Sequence, residues 1–195
     1  MRLGLKLAVG LFLMVSACTT QDVVYAPDIE VQSKAYVHGG QPTVTLLTMI
    51  NNATGSGGHS AVMINGSQRV MYDPAGRFKD PRVAERYDVL YGVTPEVLQR
   101  YNSFHSRKTH HVLIQELPVS LATANAVIQS ALQQGNSPDA LCANNTAHLL
   151  SRVPQFANIR KTFFPKALAE NFGRFPGVVT QRYYEQDEGQ NYIDQ

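Results

Sequence analysis

Cysteine is scarce in this chain, and several common signatures of function are missing. Only two cysteines occur among 195 residues, at positions 18 and 142. The sequence contains no Gly-x-Ser-x-Gly elbow, no phosphate-binding glycine loop and no internal repeat. Beyond residue 17 no apolar stretch approaches the ~18 residues that a membrane-spanning helix requires. These absences argue against a serine hydrolase of the elbow type, a phosphate-loop nucleotide-binding protein, a repeat protein and a protein with several membrane spans.

The chain also lacks a strong excess of either charge. It carries 17 Lys and Arg against 15 Asp and Glu, and two of the cations, Arg2 and Lys6, lie within residues 1–17. The remainder is balanced at 15 against 15. It contains no basic run or basic-aromatic pattern that suggests nucleic-acid binding. We therefore expect no nucleic-acid partner.

Metal ligands are not found at a suitable spacing either. A zinc site or a similar centre needs three or four His, Cys or carboxylate ligands at characteristic intervals. The nearest approach is a group of four residues that matches no such spacing, namely His105, His110, His111 and Glu116. We expect neither a metal nor any other cofactor.

The first seventeen residues have the composition of an export signal. Arg2 and Lys6 supply positive charge at the start, and no acidic residue occurs before Asp22. Residues 7–15 (LAVGLFLMV) form a nine-residue apolar run, which suits a secretory signal and is too short to cross a bilayer. We therefore expect residues 1–17 to be a signal peptide.

Residues 15–18 (VSAC) resemble the lipobox of bacterial lipoproteins. The resemblance implies cleavage before Cys18 and attachment of lipid to it, with several acyl chains holding the protein on a membrane. Thr19 stands where an Asp would favour the inner membrane, so the resemblance implies the outer membrane, facing the periplasm. An ordinary cleaved signal peptide with an incidental cysteine is the alternative.

The mature chain of about 178 residues is large enough for one domain with its own core. We expect a lipidated N-terminus and tether at 18–42, where little periodicity is present, and a folded domain at 43–195. Short apolar strands precede most of the helical patterns, which predicts the α+β class with a small antiparallel sheet. The expected strands are 44–50, 59–64, 68–72 and 109–117, and the expected helices begin at 95, 121, 138 or 139, and 166.

Cys142 is the only thiol left once Cys18 is lipidated. An unpaired cysteine in an oxidising compartment is either a buried inert side chain or a working thiol. Its position in the first turn of a predicted helix favours the thiolate, because helix N-termini carry partial positive charge. A nucleophilic thiolate needs a histidine to move protons to and from the leaving group.

His59 is the histidine that we favour for this role. It follows a glycine-rich loop, residues 51–58, and opens an otherwise apolar strand. The Asn65-Gly66 hairpin then brings the chain back. A three-residue loop would place Asp73 opposite His59, and a two-residue loop would place Tyr72 there with Asp73 next to it. Asp73 is thus a candidate to orient His59, although it is also a typical turn residue.

The order of these residues resembles that of a known enzyme family. His at a strand start, a polar residue after the next strand and a downstream Cys at a helix start are similar to circularly permuted NlpC/P60 papain-like proteins. That group contains YaeF/YiiX-like bacterial proteins and lecithin:retinol acyltransferase. The matching stretches span about 44–175 and include GHSAVMI at 58–64, YDPAG at 72–76, the passage from 112 to 126, and LCANN at 141–145.

The resemblance implies a permuted papain-like fold and specific roles for the site residues. Cys142 would be the nucleophile, His59 the base and Asp73 the third polar residue. The backbone N–H of Cys142 and one further donor would stabilise an oxyanion. Asn136 lies six residues before Cys142, at the offset of the oxyanion glutamine in papain, which makes it a candidate for that donor.

These features together predict an envelope lipoprotein that acts as a cysteine amidase or peptidase. Cys142 would attack an amide carbonyl of a peptide, of peptidoglycan or of another substrate, and water would release the thioester. One alternative is an acyltransferase or lipid-ester hydrolase of the same fold. Another is a papain-like domain that has lost catalysis and binds a partner.

Overall fold

A computed structural model describes residues 23–186 as a seven-stranded antiparallel sheet with five helices. The predicted α+β class is confirmed. The signal peptide and Cys18 lie outside the described residues. The strands are β1 Thr43–Asn51, β2 Gly57–Asn65, β3 Arg69–Tyr72, β4 Ala84–Arg86, β5 Val89–Tyr91, β6 His110–Pro118 and β7 Val179–Tyr183. The helices are α1 Asp28–Ser33, α2 Pro95–His105, α3 Leu121–Leu132, α4 Cys142–Ser151 and α5 Pro165–Phe172.

The sheet has the order β4-β5-β3-β2-β1-β6-β7, and every neighbouring pair is antiparallel. Strands β1 and β2 lie inside it and are covered on both faces. Side chains alternate along β2, so that Val62 and Ile64 face one hydrophobic cluster, whereas Ala61 and Met63 face the other. This two-sided burial explains why the inner strands are almost continuously apolar.

Helices cover the two faces unequally. The first cluster includes buried side chains of α3, α4 and α5, for example Leu149, Leu168 and Phe172. The second cluster includes α2 through Val97 and Tyr101. Because α2 and α4 lie on opposite faces, a site that uses residues from both has to form where a strand edge is open.

Two helices begin where the sequence signals predict, and a third helix does not. Thr94 and Ser120 accept hydrogen bonds from the backbone N–H groups of Val97 and Thr123, so the predicted caps of α2 and α3 are confirmed. The predicted start of the next helix at 138 or 139 is wrong. Ala140 has a φ of 66°, outside the right-handed helical region, and α4 therefore begins only at Cys142.

The β2–β3 hairpin forms, but in neither of the two predicted registers. Asn65 pairs with Arg69 and Val62 pairs with Tyr72, which leaves residues 66–68 as the loop. By extension of this register Ala61, and not His59, is the residue opposite Asp73. His59 and Asp73 are therefore diagonal neighbours on one face of the sheet, a relation that long side chains can span.

Both ends of the described chain contain structure that the sequence pattern did not predict. Within the predicted tether, Tyr25 forms a β-bridge with Arg86, and Ala26 is buried in the first cluster. Near the other end, β7 pairs with β6 as an edge strand whose side chains are mostly exposed. Between residues 23 and 186, none of the helices has the length and apolar character needed to cross a membrane.

Candidate active site

Cys142 is the first residue of α4, and its side chain is only 7% exposed. The first N–H that bonds within the helix belongs to Asn145, which donates to the carbonyl of Leu141. The N–H groups of residues 142–144 therefore have no acceptor inside the helix, as at any helix start. The N–H groups of Ala143 and Ser60 both hydrogen-bond the sulfur and lower its pKa.

The contact with Ser60 depends on an uncovered part of β2. The pairing of β2 with β3 stops at Val62 and Tyr72, so the beginning of β2 has no strand on that side. Helix α4 packs against β2 from the first face and brings Cys142 to this opening. The short length of β3 therefore makes room for the thiol beside the sheet edge.

His59 lies at the same opening, next to an irregularity in the β1–β2 pairing. Met49 pairs with His59, but Ile50 already pairs with Gly57, so Gly58 is an extra residue on β2. Such a bulge changes the direction of neighbouring side chains. His59 remains 18% exposed at its side chain, which leaves the imidazole in contact with solvent at the mouth of the site.

Asp73 holds one nitrogen of His59. The Nε2 atom of His59 lies 2.7 Å from Oδ1 of Asp73, and the hydroxyl of Tyr101 donates to the same oxygen at 2.7 Å. Burial alone would raise the pKa of Asp73, but the hydrogen bond and positive charge of His59 hold that pKa below its usual value. With Nε2 bound to Asp73, Nδ1 is the nitrogen available to Cys142.

Gly76 keeps space for the Asp73 carboxylate. Its N–H donates to the carbonyl of Asp73 and closes a turn at 2.9 Å. A Cβ atom at position 76 would lie 1.9 Å from Oδ2 of Asp73. Any side chain at this position would therefore displace the carboxylate that orients His59.

The electrostatics of the site favour an ion pair between imidazole and thiol. Burial by itself lowers the pKa of His59, but hydrogen bonds to Asp73 and Cys142 and their negative charges raise it to about 10. Burial by itself raises the pKa of Cys142, yet the hydrogen bond and charge of His59 lower it below the usual value for a thiol. Both shifts favour the thiolate–imidazolium pair over the neutral thiol and imidazole.

A second histidine lies against the first and stays neutral. The ring centroids of His59 and His105 are 5.9 Å apart, and the two rings are nearly parallel. The ring centroids of His105 and Tyr101 are 4.3 Å apart. Burial lowers the pKa of His105 to about 4. Its Nδ1 lies 2.9 Å from the carbonyl of Tyr101, which can only accept, so Nδ1 carries the proton and Nε2 is an acceptor.

Asp88 connects the two loops that carry the site. Its backbone carbonyl accepts from the N–H of Asp73, and its Oδ2 accepts from the N–H groups of Ala75 and Ser137 at 3.2 and 2.6 Å. Asp88 lies in the two-residue β4–β5 turn, where it and Tyr87 both have positive φ, 65° and 49°. Burial raises the pKa of Asp88 to about 6, so it remains a carboxylate at neutral pH.

Removing the Asp88 side chain should weaken the fold around the site. Asp88→Ala leaves the N–H of buried Ser137 and that of Ala75 without their acceptor, at a cost of about 1–3 kcal/mol for each buried group. Asp88→Asn keeps an oxygen that can accept both bonds and serves as the matched control. Thermal unfolding should therefore show a clearly lower midpoint for Asp88→Ala than for Asp88→Asn. Equal midpoints for the two variants would contradict this role.

A cavity of about 320 Å³ opens on the His59 side of the site. Its walls include Met49, Gly58, Phe104 and His105 together with His59 itself. The walls combine these apolar side chains with polar groups from imidazoles and from Arg107 and Thr109. A compact substrate group can therefore lie against His59 in this cavity.

Two further residues considered from the sequence form no hydrogen bond with Cys142, His59 or Asp73 in the part of the chain that the structure describes. Asn136 is half-buried in the loop before α4, and no hydrogen bond within residues 23–186 joins it to Cys142, His59 or Asp73. Its role as an oxyanion donor stays a prediction. His111, one of the residues compared with metal-site spacings, lies with its Nδ1 2.7 Å from Oδ1 of Asn52. Within the same described part of the chain, no three His, Cys, Asp or Glu side chains cluster in a way that could hold a metal.

Sequence reasoning did not place Tyr101, His105 or Asp88 at the site, and His105 was considered only within a group that matches no metal-ligand spacing. Tyr101 and His105 are four residues apart, which places them on one face of α2 together with Val97. That spacing indicates that the two side chains share a face of α2. It does not indicate against which part of the sheet this face packs. Asp88 had no comparable signal, because its hairpin was not predicted.

Comparison with known proteins leaves the family undecided. No protein-family model matches the chain, and neither a curated protein nor a solved structure matches it significantly. The resemblance to permuted papain-like proteins therefore stays a prediction. The site has to be interpreted from its own geometry.

Proposed function

We propose that the protein is a cysteine hydrolase of the cell envelope that cleaves amide bonds in peptides, in peptidoglycan or in related substrates. One observation carries the proposal: the His59 ring bonds the buried Asp73 carboxylate at 2.7 Å and lies near enough to Cys142 to raise its own pKa and lower that of the thiol. This is the arrangement of nucleophile, base and orienting acid that acyl-transfer enzymes use. The α+β class and the order of the residues support a permuted NlpC/P60 papain-like fold.

In the proposed reaction the thiolate of Cys142 attacks the substrate carbonyl carbon, and a C–S bond forms. The electron pair of the carbonyl moves to oxygen, and backbone N–H groups at the start of α4 lie in the region where that charge develops. The imidazolium of His59 gives its proton to the leaving amine as the C–N bond breaks. A water molecule then loses a proton to His59, attacks the thioester and releases the acid.

Asp73 and Tyr101 support this cycle without touching the substrate. Asp73 keeps the His59 ring oriented and stabilises its charged form, and Tyr101 holds the same carboxylate oxygen. Neutral His105 covers the other side of the imidazole. In this proposal the predicted lipid on Cys18 keeps the site near the outer membrane, facing the periplasm.

The proposal is tested by trapping the thioester. Incubation with 4-nitrophenyl acetate should acetylate Cys142, with a burst of nitrophenol and a mass increase that hydroxylamine removes. Cys142→Ala should show neither the burst nor the mass increase. Its rate of nitrophenol release should be lower by about a thousandfold or more. Release of acetate to water supports the hydrolase, whereas transfer to an added amine supports the acyltransferase alternative. An unlabelled wild-type protein would overturn catalysis and leave the binding-protein alternative.

A further inference from the structure

Two adjacent phenylalanines are exposed at the start of α5. The side chains of Phe163 and Phe164 are 60% and 71% exposed. Helix α5 itself buries an apolar face through Pro165, Leu168 and Phe172. The two preceding rings do not belong to that face and project from the loop instead. Soluble surfaces carry single exposed apolar residues commonly, but a pair of large neighbouring rings indicates a contact surface.

Positive charge surrounds the two rings. Residues 160–166 read RKTFFPK, and Arg160, Lys161 and Lys166 are all exposed. No Asp or Glu occurs anywhere in residues 140–169, although the chain as a whole is nearly balanced. The Lys166 ammonium lies 4.0 Å from the carboxylate of Glu170. The overall charge balance therefore conceals one short basic and aromatic surface, which the sequence prediction did not single out and which we call segment 160–166.

Segment 160–166 lies at the same end of the sheet as the candidate site. A Cβ atom on Gly57 would lie 2.5 Å from the backbone nitrogen of Lys166, so the start of α5 is packed on the start of β2. His59 is only two residues further along β2, a rise of about 7 Å. A surface that binds segment 160–166 would therefore lie at the end of the sheet that carries His59.

We infer that segment 160–166 docks on an anionic phospholipid bilayer, with Phe163 and Phe164 among the acyl chains and the three cations at the headgroups. Aromatic rings flanked by Lys and Arg are the chemistry that binds a membrane interface. Both rings are largely exposed and stand between the cations, so a bilayer with anionic headgroups can take up the apolar and the charged groups together. Docking in this way would hold Cys142 and His59 close to the lipid surface, whatever the substrate is.

The chain contains no tryptophan, so a single introduced indole reports on its own surroundings. Phe163→Trp places the reporter in segment 160–166. Leu121→Trp is the matched control, since Leu121 is 50% exposed at the opposite end of the sheet, beyond the pair Thr43 and Pro118. Both reporters are placed in the full chain with Cys18→Ser, so residues 1–22 contribute equally to each.

The measurement is quenching of tryptophan emission by vesicles whose phospholipids carry brominated acyl chains. With equal parts of phosphatidylglycerol and phosphatidylcholine, Phe163→Trp should shift to shorter wavelength and be quenched, whereas Leu121→Trp should not. Introducing Lys161→Gln into the Phe163→Trp protein should weaken vesicle binding about fivefold, which is the loss expected for one cation near an anionic surface. Lys34→Gln, at the other end of the molecule beside Gly92, should leave binding unchanged.

Three results would overturn the inference. Equal quenching of the two reporters, or none, would show that segment 160–166 does not face the bilayer. Equal quenching of Phe163→Trp on pure phosphatidylcholine would remove the role of charge. A blue shift that depends on protein concentration without vesicles would identify a second copy of the chain as the occupant. None of these measurements depends on catalysis. A negative result would therefore contradict the docking inference without contradicting the proposed hydrolase activity.

Discussion

Replacing His59 with alanine should slow the alkylation of Cys142 by iodoacetamide at pH 7 by about 10- to 100-fold. In the native protein the imidazolium lowers the thiol pKa, and without it burial is opposed only by the backbone N–H groups of Ser60 and Ala143. Burial raises the pKa, so the thiolate fraction at pH 7 falls. The greater nucleophilicity of a thiolate with a higher pKa offsets part of that loss, which is why the expected range is broad.

The pH dependence of the alkylation rate shows in which direction His59 shifts the pKa of Cys142. In the wild type the rate should fall only as the pH drops through the lowered pKa of Cys142, below the pH at which an ordinary thiol loses reactivity. In His59→Ala the same fall should occur at a higher pH than in the wild type. Arg152→Gln, at the opposite end of α4, is a suitable control and should retain the wild-type profile. Identical profiles for wild type and His59→Ala would refute the ion pair.

Replacing Asp73 with asparagine should reduce turnover by about 10²–10⁴-fold while the protein stays folded. The amide can still accept a hydrogen bond from Nε2 of His59, but it carries no charge to stabilise the imidazolium. The pKa of His59, which Asp73 helps to raise, should therefore fall. Hydrolysis of 4-nitrophenyl acetate, followed across pH, measures both the loss and the shift.

Tyr101→Phe is the matched comparison for Asp73→Asn. It removes one neutral hydrogen bond to the same carboxylate oxygen and leaves the charge and the His59 bond in place. A neutral hydrogen bond contributes about 1 kcal/mol, so turnover should fall by no more than about tenfold. If both variants lost activity equally, the charge of Asp73 would not be the reason for its importance.

The residues most suited to catalysis could be selected from the sequence because their types are unusual for their positions. Cys142 was the only thiol expected to remain free, and His59 was a polar residue at the mouth of an apolar strand. The hairpin signal at Asn65-Gly66 limited the distance between His59 and Asp73 in every plausible register. That is why Asp73 was chosen for contact with His59 although the predicted registers were wrong.

The contacts that complete the site could not be predicted in this way. Tyr101 reaches Asp73 because α2 packs on the second face of the sheet, and local periodicity does not determine that placement. Asp88 reaches the Ser137 loop from a turn in which Tyr87 has positive φ, a conformation that a tyrosine does not signal. These contacts join residues 28 and 49 positions apart in sequence.

The sequence by itself determined the α+β class, the inner strands, two helix caps and the candidate residues Cys142, His59 and Asp73. Local patterns suffice for these features, because hydrophobic periodicity, capping and residue chemistry act over a few positions. Only the tertiary structure decided that β3 ends early, that α4 starts at the cysteine itself and that α2 supplies a second layer around the imidazole. Packing between distant segments brings these elements together, and with them the contacts that lower the pKa of Cys142.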